Sequence, residues 1–100
     1  MNDVQSAVYS VNQKVTDSSV IFDQTIAEQY VLYAHRLAAR GYVQAAVGNM
    51  VMRVAHRNYR DGICYVKAQG VSLEEMTIDD LVITDVLHGI ILFGDRATTV

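Results

Sequence analysis

Two glycine-containing turns hold the residues of this sequence that are best suited to chemistry. One is Gly48-Asn49, and the other is Lys67-Ala68-Gln69-Gly70. Turns of this kind expose backbone N–H groups, and an asparagine amide or a lysine ammonium adds further donors, so the chemistry they favour is the binding of an anion such as phosphate. The alternative interpretation is that both turns only close hairpins, where such residues are common.

The cysteine and histidine residues give weaker indications of chemistry. Cys64 is the only cysteine, so the chain forms no internal disulfide, and its apolar neighbours predict a buried thiol on a strand. The histidines, His35, His56 and His88, lie far apart in the sequence, without the spacing typical of a metal site. We therefore expect packed or surface roles for them.

The composition is typical of one soluble globular domain. The chain has 100 residues, of which 51% are hydrophobic and 19% charged, and its formal net charge is -3. This balance argues against a disordered chain and against nucleic-acid binding. The apolar stretch 81–93 is too short for a membrane span, and the N-terminus has no secretory signal pattern, so we expect a cytoplasmic protein without membrane contact. Its small size also predicts that its stability depends on a partner.

The first part of the chain is predicted to form an arm and a helix. Residues 1–20 show no clear period, and we expect a flexible N-terminal arm there, which leaves 21–100 as the domain. Apolar residues recur at three- and four-residue spacing over Asp23–Arg40, which predicts an amphipathic helix. Gly41 then predicts a left-handed cap at its end.

A hairpin is predicted after the helix. Met50–Ala55 and Ile63–Lys67 have the composition of strands, and Asn58–Gly62 has the composition of the turn between them. Ser72 to Glu75 then fits a capping box, which predicts a short helical turn, and Thr77 to Asp80 repeats the signal more weakly.

A second pair of strands is predicted at Leu81–Val86 and Ile90–Phe93, joined by a turn at Leu87-His88-Gly89. The predicted fold class is therefore α/β of the α+β-like kind, with a helix packed on a mainly antiparallel sheet.

Three segments share their order and spacing with a known family. They are Leu37-Ala38-Ala39-Arg40-Gly41, the segment Gly48-Asn49-Met50-Val51-Met52-Arg53, and the stretch 70–85, which reads GVSLEEMTIDDLVITD. Together they resemble the N-terminal part of the class II aldolase/adducin family, from about Thr25 to the C-terminus. The resemblance implies a partial domain of this family, related to the phosphate-binding half of a metal-dependent sugar-phosphate lyase.

The resemblance also implies which residues bind substrate. In the family, a Gly-Asn pair with a following hydroxyl residue and arginine, a Thr-Pro-Ser-Gly turn and a pair of serines form the phosphate cradle. Val51 replaces the hydroxyl residue here, and a lysine in the turn offers a point charge where neutral donors are lost. By position, the implied substrate-binding residues are Asn49, Lys67, Gln69, Gly70, Thr98 and Thr99.

The resemblance implies no catalytic residue and no metal ligand in this chain. The acid/base glutamate of the family enzymes falls on Val100, and valine carries no proton. The histidines that hold zinc or another divalent metal in those enzymes match positions beyond residue 100, so we expect the metal only if a second half is supplied.

Two classes of function remain open. The first is an aldolase-like protein that binds a phosphorylated or carboxylated small molecule and is catalytically incompetent as this chain alone. The second is a non-enzymatic oligomeric interaction module, as in the adducin branch, or one half of a two-chain enzyme. An uncovered sheet edge and apolar face would then predict a homo-oligomer or a complementary chain. A fragment without function of its own is the third interpretation.

Overall fold

A helix and a four-stranded antiparallel sheet make up the described part of the chain, residues 13–41 and 50–98 of a computed structural model. The strand order is β1-β2-β3-β4, and each neighbouring pair is antiparallel. The predicted fold class is thereby confirmed. In chain order, the elements are α1 (Gln24–Ala39), β1 (Val51–His56), β2 (Tyr59–Lys67), a 3-10 turn (Ile78–Asp80), β3 (Leu81–Asp85) and β4 (Ile91–Phe93).

Helix α1 begins and ends one residue inside its predicted limits. Asp23 is the N-cap, and its Oδ1 accepts hydrogen bonds from the backbone N–H groups of Thr25 at 2.9 Å and Ile26 at 3.2 Å. At the other end Gly41 has a φ of 73°, and its N–H donates to the carbonyl of Ala38 at 3.0 Å. The glycine therefore forms the left-handed cap that the sequence predicts.

Replacing Asp23 by alanine is expected to destabilise the domain by about 1 kcal/mol, because two N–H groups of the first helical turn lose their acceptor. The backbone N–H of Asp23 donates to Tyr65 Oη at 2.8 Å, and this bond survives the substitution. Urea unfolding followed by circular dichroism measures the loss. Asp23→Asn retains a capping oxygen and is the matched control, so an equal loss in both variants would contradict the capping role.

The sheet carries an apolar cluster on each face. On the helix side, Tyr30 of α1 packs with Tyr65 of β2 and Ile83 of β3 in the main core. A smaller cluster on the opposite face includes Val66 and Val82. Because side chains alternate along a strand, successive residues of β2 enter different clusters, and the end of β2 is covered on both faces.

The turn of the β1–β2 hairpin lies earlier than the sequence predicts. It consists of Arg57 and Asn58, and β2 already begins at Tyr59. The prediction of a turn over Asn58–Gly62 was therefore wrong. Gly62, the last residue of the predicted turn, serves a different feature of the hairpin.

That feature is a bulge inside the β1–β2 ladder. The register places residues 60–62 of β2 opposite Ala55 of β1, so extra residues are accommodated in β2. Gly62 ends the bulge with a φ of 86°, a conformation that other residues rarely adopt. A positive φ is compatible with a bulge as well as with a turn, which is why the sequence pattern alone was misread.

The connection between the hairpins contains both predicted caps. The cap with the weaker sequence pattern, at Thr77, begins the more regular helical turn. Ser72 Oγ accepts from the backbone N–H of Glu75 at 3.2 Å, so a helical turn begins there as predicted. The acidic side chain that reaches back to an N-cap is that of Asp80, whose Oδ2 accepts from the Thr77 N–H at 2.8 Å. The weaker sequence signal therefore begins the regular 3-10 turn.

Residues 13–20 of the predicted arm lie against the sheet. Lys14 forms a parallel bridge with Ile91, and His56 Nε2 lies 2.9 Å from the carbonyl oxygen of Ser19. Asp17 accepts side-chain hydrogen bonds from Ser19 and from Tyr59, and these lower its pKa to about 2. The first part of the arm, 1–12, lies outside the described residues.

Among the described residues, no helix has the length and apolar character that a membrane span requires.

Candidate functional site

The turn that follows β2 lies beside the C-terminal segment of the chain. Ala68 and Thr98 form an antiparallel bridge, and the backbone N–H of Gln69 donates to the carbonyl of Ala97 at 2.8 Å. The turn over 67–70 and the segment over 97–98 are therefore held as neighbours by backbone hydrogen bonding, although they are distant in the sequence.

This arrangement brings most of the predicted ligand residues together. We use the name turn site for the set Lys67, Gln69, Gly70 and Thr98. The other two predicted ligand residues, Asn49 and Thr99, lie outside the described residues, so their roles stay predictions.

Lys67 and Thr98 are the buried members of the turn site, and Lys67 is the one with a charged side chain. Lys67 is only 3% exposed. In the described part of the chain, the partner of its Nζ is the carbonyl of Ala68 at 3.5 Å, which is at the limit of a hydrogen bond. Burial lowers the pKa of Lys67, because a charged ammonium is poorly solvated there. The protein thus holds a cation in a place that disfavours its charge.

Gln69 and Gly70 form the exposed side of the turn site. Gly70 has a φ of 86°, and a Cβ built on it would meet no atom of the described residues within 4 Å. Crowding therefore does not explain the glycine at this position. The turn requires the left-handed conformation, and the open space beside the backbone lets a ligand approach closely.

Asp80 and Arg96 connect the turn site to the 3-10 turn. The carbonyl of Asp80 accepts from the Ala68 N–H at 2.8 Å, and its Oδ1 accepts from Arg96 Nη1 at 2.8 Å. Although burial favours the neutral acid, the hydrogen bonds from Thr77 and Arg96 hold the pKa of Asp80 below its usual value. The charge of Arg96 is therefore balanced, whereas that of Lys67 has no carboxylate within ion-pair distance among the described residues.

Arg53, the arginine of the Gly-Asn motif, does not lie in the turn site. It pairs with Cys64 in the sheet register, so it lies on the opposite face from Lys67. Its Nε donates to the carbonyl of Asp61 at 2.6 Å. In this structure the arginine therefore stabilises the bulge of the β1–β2 hairpin.

The cysteine and histidines occupy structural positions. Cys64 is buried on β2, as predicted, and burial raises the pKa of its thiol, which disfavours the reactive thiolate. His35 Nε2 lies 2.9 Å from the carbonyl of Met76, and His88 Nδ1 lies 3.3 Å from Asp85 Oδ2. Within 13–41 and 50–98, no group of three or more histidine, cysteine or acidic side chains is arranged to hold a metal ion.

Comparison with known proteins identifies the family. The model of the family described as Class II Aldolase and Adducin N-terminal domain matches residues 28–99. The chain therefore belongs to this family. Among curated proteins, none matches the chain.

A solved structure shows the same fold. L-fuculose 1-phosphate aldolase superimposes with a TM-score of 0.61 at 18% sequence identity, over 82% of this chain and 36% of that chain. At this identity the likeness shows the fold alone. The chain thus spans little more than a third of the length of the similar enzyme.

Proposed function

We propose that the turn site binds the phosphate or carboxylate group of a small molecule, as the anion-binding part of a class II aldolase-like domain. The observation that carries the proposal is the buried ammonium of Lys67, whose partner in the described part of the chain is a distant carbonyl. A desolvated charge is costly unless a counter-charge compensates it. An anion bound at the turn would supply that compensation.

Phosphate fits the donors of the turn site well. Lys67 offers a point charge from the buried side, and the open space at Gly70 allows close contact with the backbone. The similar structure is, by its name, an aldolase of a sugar phosphate, which supports a phosphorylated ligand over a carboxylated one.

The proposal covers binding and assigns no lyase step to this chain. By the family resemblance, the acid/base glutamate falls on Val100, which has no titratable group. The described residues also do not fit a catalytic metal, because they contain no suitable group of ligands. We propose that zinc or another divalent metal is bound only where a complementary half supplies its ligands.

Isothermal titration calorimetry with inorganic phosphate and with a sugar phosphate tests the proposal. We expect saturable binding by the wild type, and Lys67→Met should weaken it at least about tenfold, because a charge-assisted hydrogen bond is lost. Lys14→Met is the matched control, since it removes the same charge from an exposed lysine paired with Asp95. Equal weakening by both variants, or no saturable binding, would exclude the turn site as the ligand site.

Assembly is a second candidate function, and the exposed apolar side chains favour it. Ile21 is 76% exposed and Leu87 is 69% exposed. In the described part of the chain, β1 has a neighbouring strand on one side only, and it presents the half-exposed Val51. We propose that a second copy or a complementary chain covers these surfaces. Light scattering of wild type and Val51→Lys tests this, and a monomeric wild type would exclude the homo-oligomer.

A further inference from the structure

We propose a second anion site in the bulge of the β1–β2 hairpin, which takes a small molecule that bears a phosphate group. A cavity of about 310 Å³ lies there, and Arg53, His56, Arg60 and Asp61 are among its lining residues. Lys67 lies five residue steps after Gly62 along β2, a distance of about 16 Å. The bulge site is therefore distinct from the turn site, and its argument does not depend on the function proposed above.

The backbone of the bulge has a fixed shape. Residues 60–62 of β2 stand opposite Ala55 alone, and a Cβ on Gly62 would lie 2.6 Å from the carbonyl oxygen of Val54. The strands β1 and β2 thus approach each other more closely than a residue with a Cβ atom at position 62 would permit. Bulges redirect neighbouring side chains and are frequent next to functional sites, so the local geometry is suited to aim arginines at a common space.

The guanidinium group of Arg53 is held in place before any ligand arrives. Its Nε donates to the carbonyl of Asp61, the middle residue of the bulge, at 2.6 Å. Arginine has five N–H donors in a planar fork, and this bond uses the one on Nε. Within the described part of the chain, the donors on the two terminal nitrogens have no partner, so they are able to bind the oxygens of a phosphate. A side chain that is already ordered also loses less entropy on binding.

The charges of the hairpin favour an anion. The ion pairs among the described residues involve Lys14, His88 and Arg96, and none includes Arg53 or Arg60. Two arginines and one aspartate line the cavity, which leaves an excess of one positive charge in a chain whose net charge is -3. His56 also lines the cavity, with Nε2 2.9 Å from the Ser19 carbonyl oxygen and Nδ1 accepting from the Asn58 N–H at 3.1 Å.

The size of the cavity favours a small ligand. Its volume of about 310 Å³ lies at the lower end of the range for small-molecule sites. Guanidinium groups match the geometry of phosphate oxygens, and their bonds to phosphate are among the stronger hydrogen bonds in proteins. A phosphate monoester therefore fits the bulge site better than an extended acidic chain.

Amide chemical shifts in a titration with inorganic phosphate test the proposal. We expect saturable shifts at residues 60–62 that sodium chloride of equal ionic strength does not reproduce. Arg60→Gln should weaken binding at these amides at least about tenfold, since it removes donors without touching the Arg53–Asp61 bond. Arg53→Gln should do the same. Arg57→Gln is the matched control, because Arg57 belongs to the same hairpin but does not line the cavity.

Each alternative outcome overturns the proposal. If Arg57→Gln weakens phosphate binding as much as Arg60→Gln does, phosphate is attracted by the overall positive charge of the hairpin and is not bound at a specific site. The absence of saturable shifts at residues 60–62 would show that the cavity binds no phosphate. Lys67→Met separates the two anion sites, because it should abolish phosphate shifts at Gly70 and leave those of the bulge unchanged.

Discussion

Gly62→Ala is expected to destabilise the domain by about 3 kcal/mol. A side chain at its φ of 86° costs about 1–2 kcal/mol, and the new Cβ would lie 2.6 Å from the carbonyl oxygen of Val54. That oxygen belongs to the backbone of β1, so it cannot move without distorting the hairpin ladder. Urea unfolding followed by circular dichroism measures the loss, which is a large fraction of the stability of a small domain.

Gly70→Ala separates the two causes of this loss. Gly70 has the same φ of 86°, but a Cβ at that position meets no atom of the described residues within 4 Å. We therefore expect only the conformational cost, about 1–2 kcal/mol. The difference between the two variants then measures the close approach of the strands at the bulge. Equal losses would contradict the bulge geometry, and with it the fixed backbone on which the bulge anion site depends.

The ends of the helix and most strand limits could be predicted because local residues determine them. Asp23 caps the helix through its own side chain, and Gly41 ends it through its own backbone conformation. The bulge could not be predicted in the same way. Whether residues 58–62 form a turn or a turn followed by a bulge depends on their register with β1, and a register is a property of two strands.

The turn site could be predicted in part. The family resemblance indicated the residues, but the pairing of Ala68 with Thr98 is a long-range contact that no local pattern reveals. The burial of Lys67 was missed, because a polar residue at a strand end is ordinarily expected on the solvent side. A signal was present: the residues from Ile63 to Val66 are apolar without alternation, which is typical of a strand covered on both faces.

Lys67→Met is expected to stabilise the domain by about 1–3 kcal/mol at neutral pH in the absence of phosphate. Methionine fills a similar volume and has no charge to desolvate, whereas the ammonium of Lys67 is buried, and its partner among the described residues is a carbonyl 3.5 Å away. Replacing a buried charged group by a well-packed apolar one is often stabilising by this amount. Lys14→Met removes an exposed charge and should change the stability by less than about 0.5 kcal/mol.

The pH dependence of stability gives the sharper test of the same residue. Burial lowers the pKa of Lys67 from 10.5 in the folded protein. At a pH between this folded pKa and the unfolded pKa, the unfolded chain therefore binds more protons than the folded protein does. Stability rises with pH wherever this holds, so the cost of Lys67 is fully present below the folded pKa and is lost as pH rises towards 10.5.

Urea unfolding from about pH 7 to about pH 10 should therefore show a rise in the wild type that Lys67→Met lacks. Saturating phosphate should reverse the order at neutral pH, because binding at the turn site stabilises only the chain that keeps the ammonium, whereas binding at the bulge site stabilises both chains equally. A variant that is less stable than the wild type without phosphate would show that the fold already compensates Lys67, and an anion would then have no charge left to neutralise.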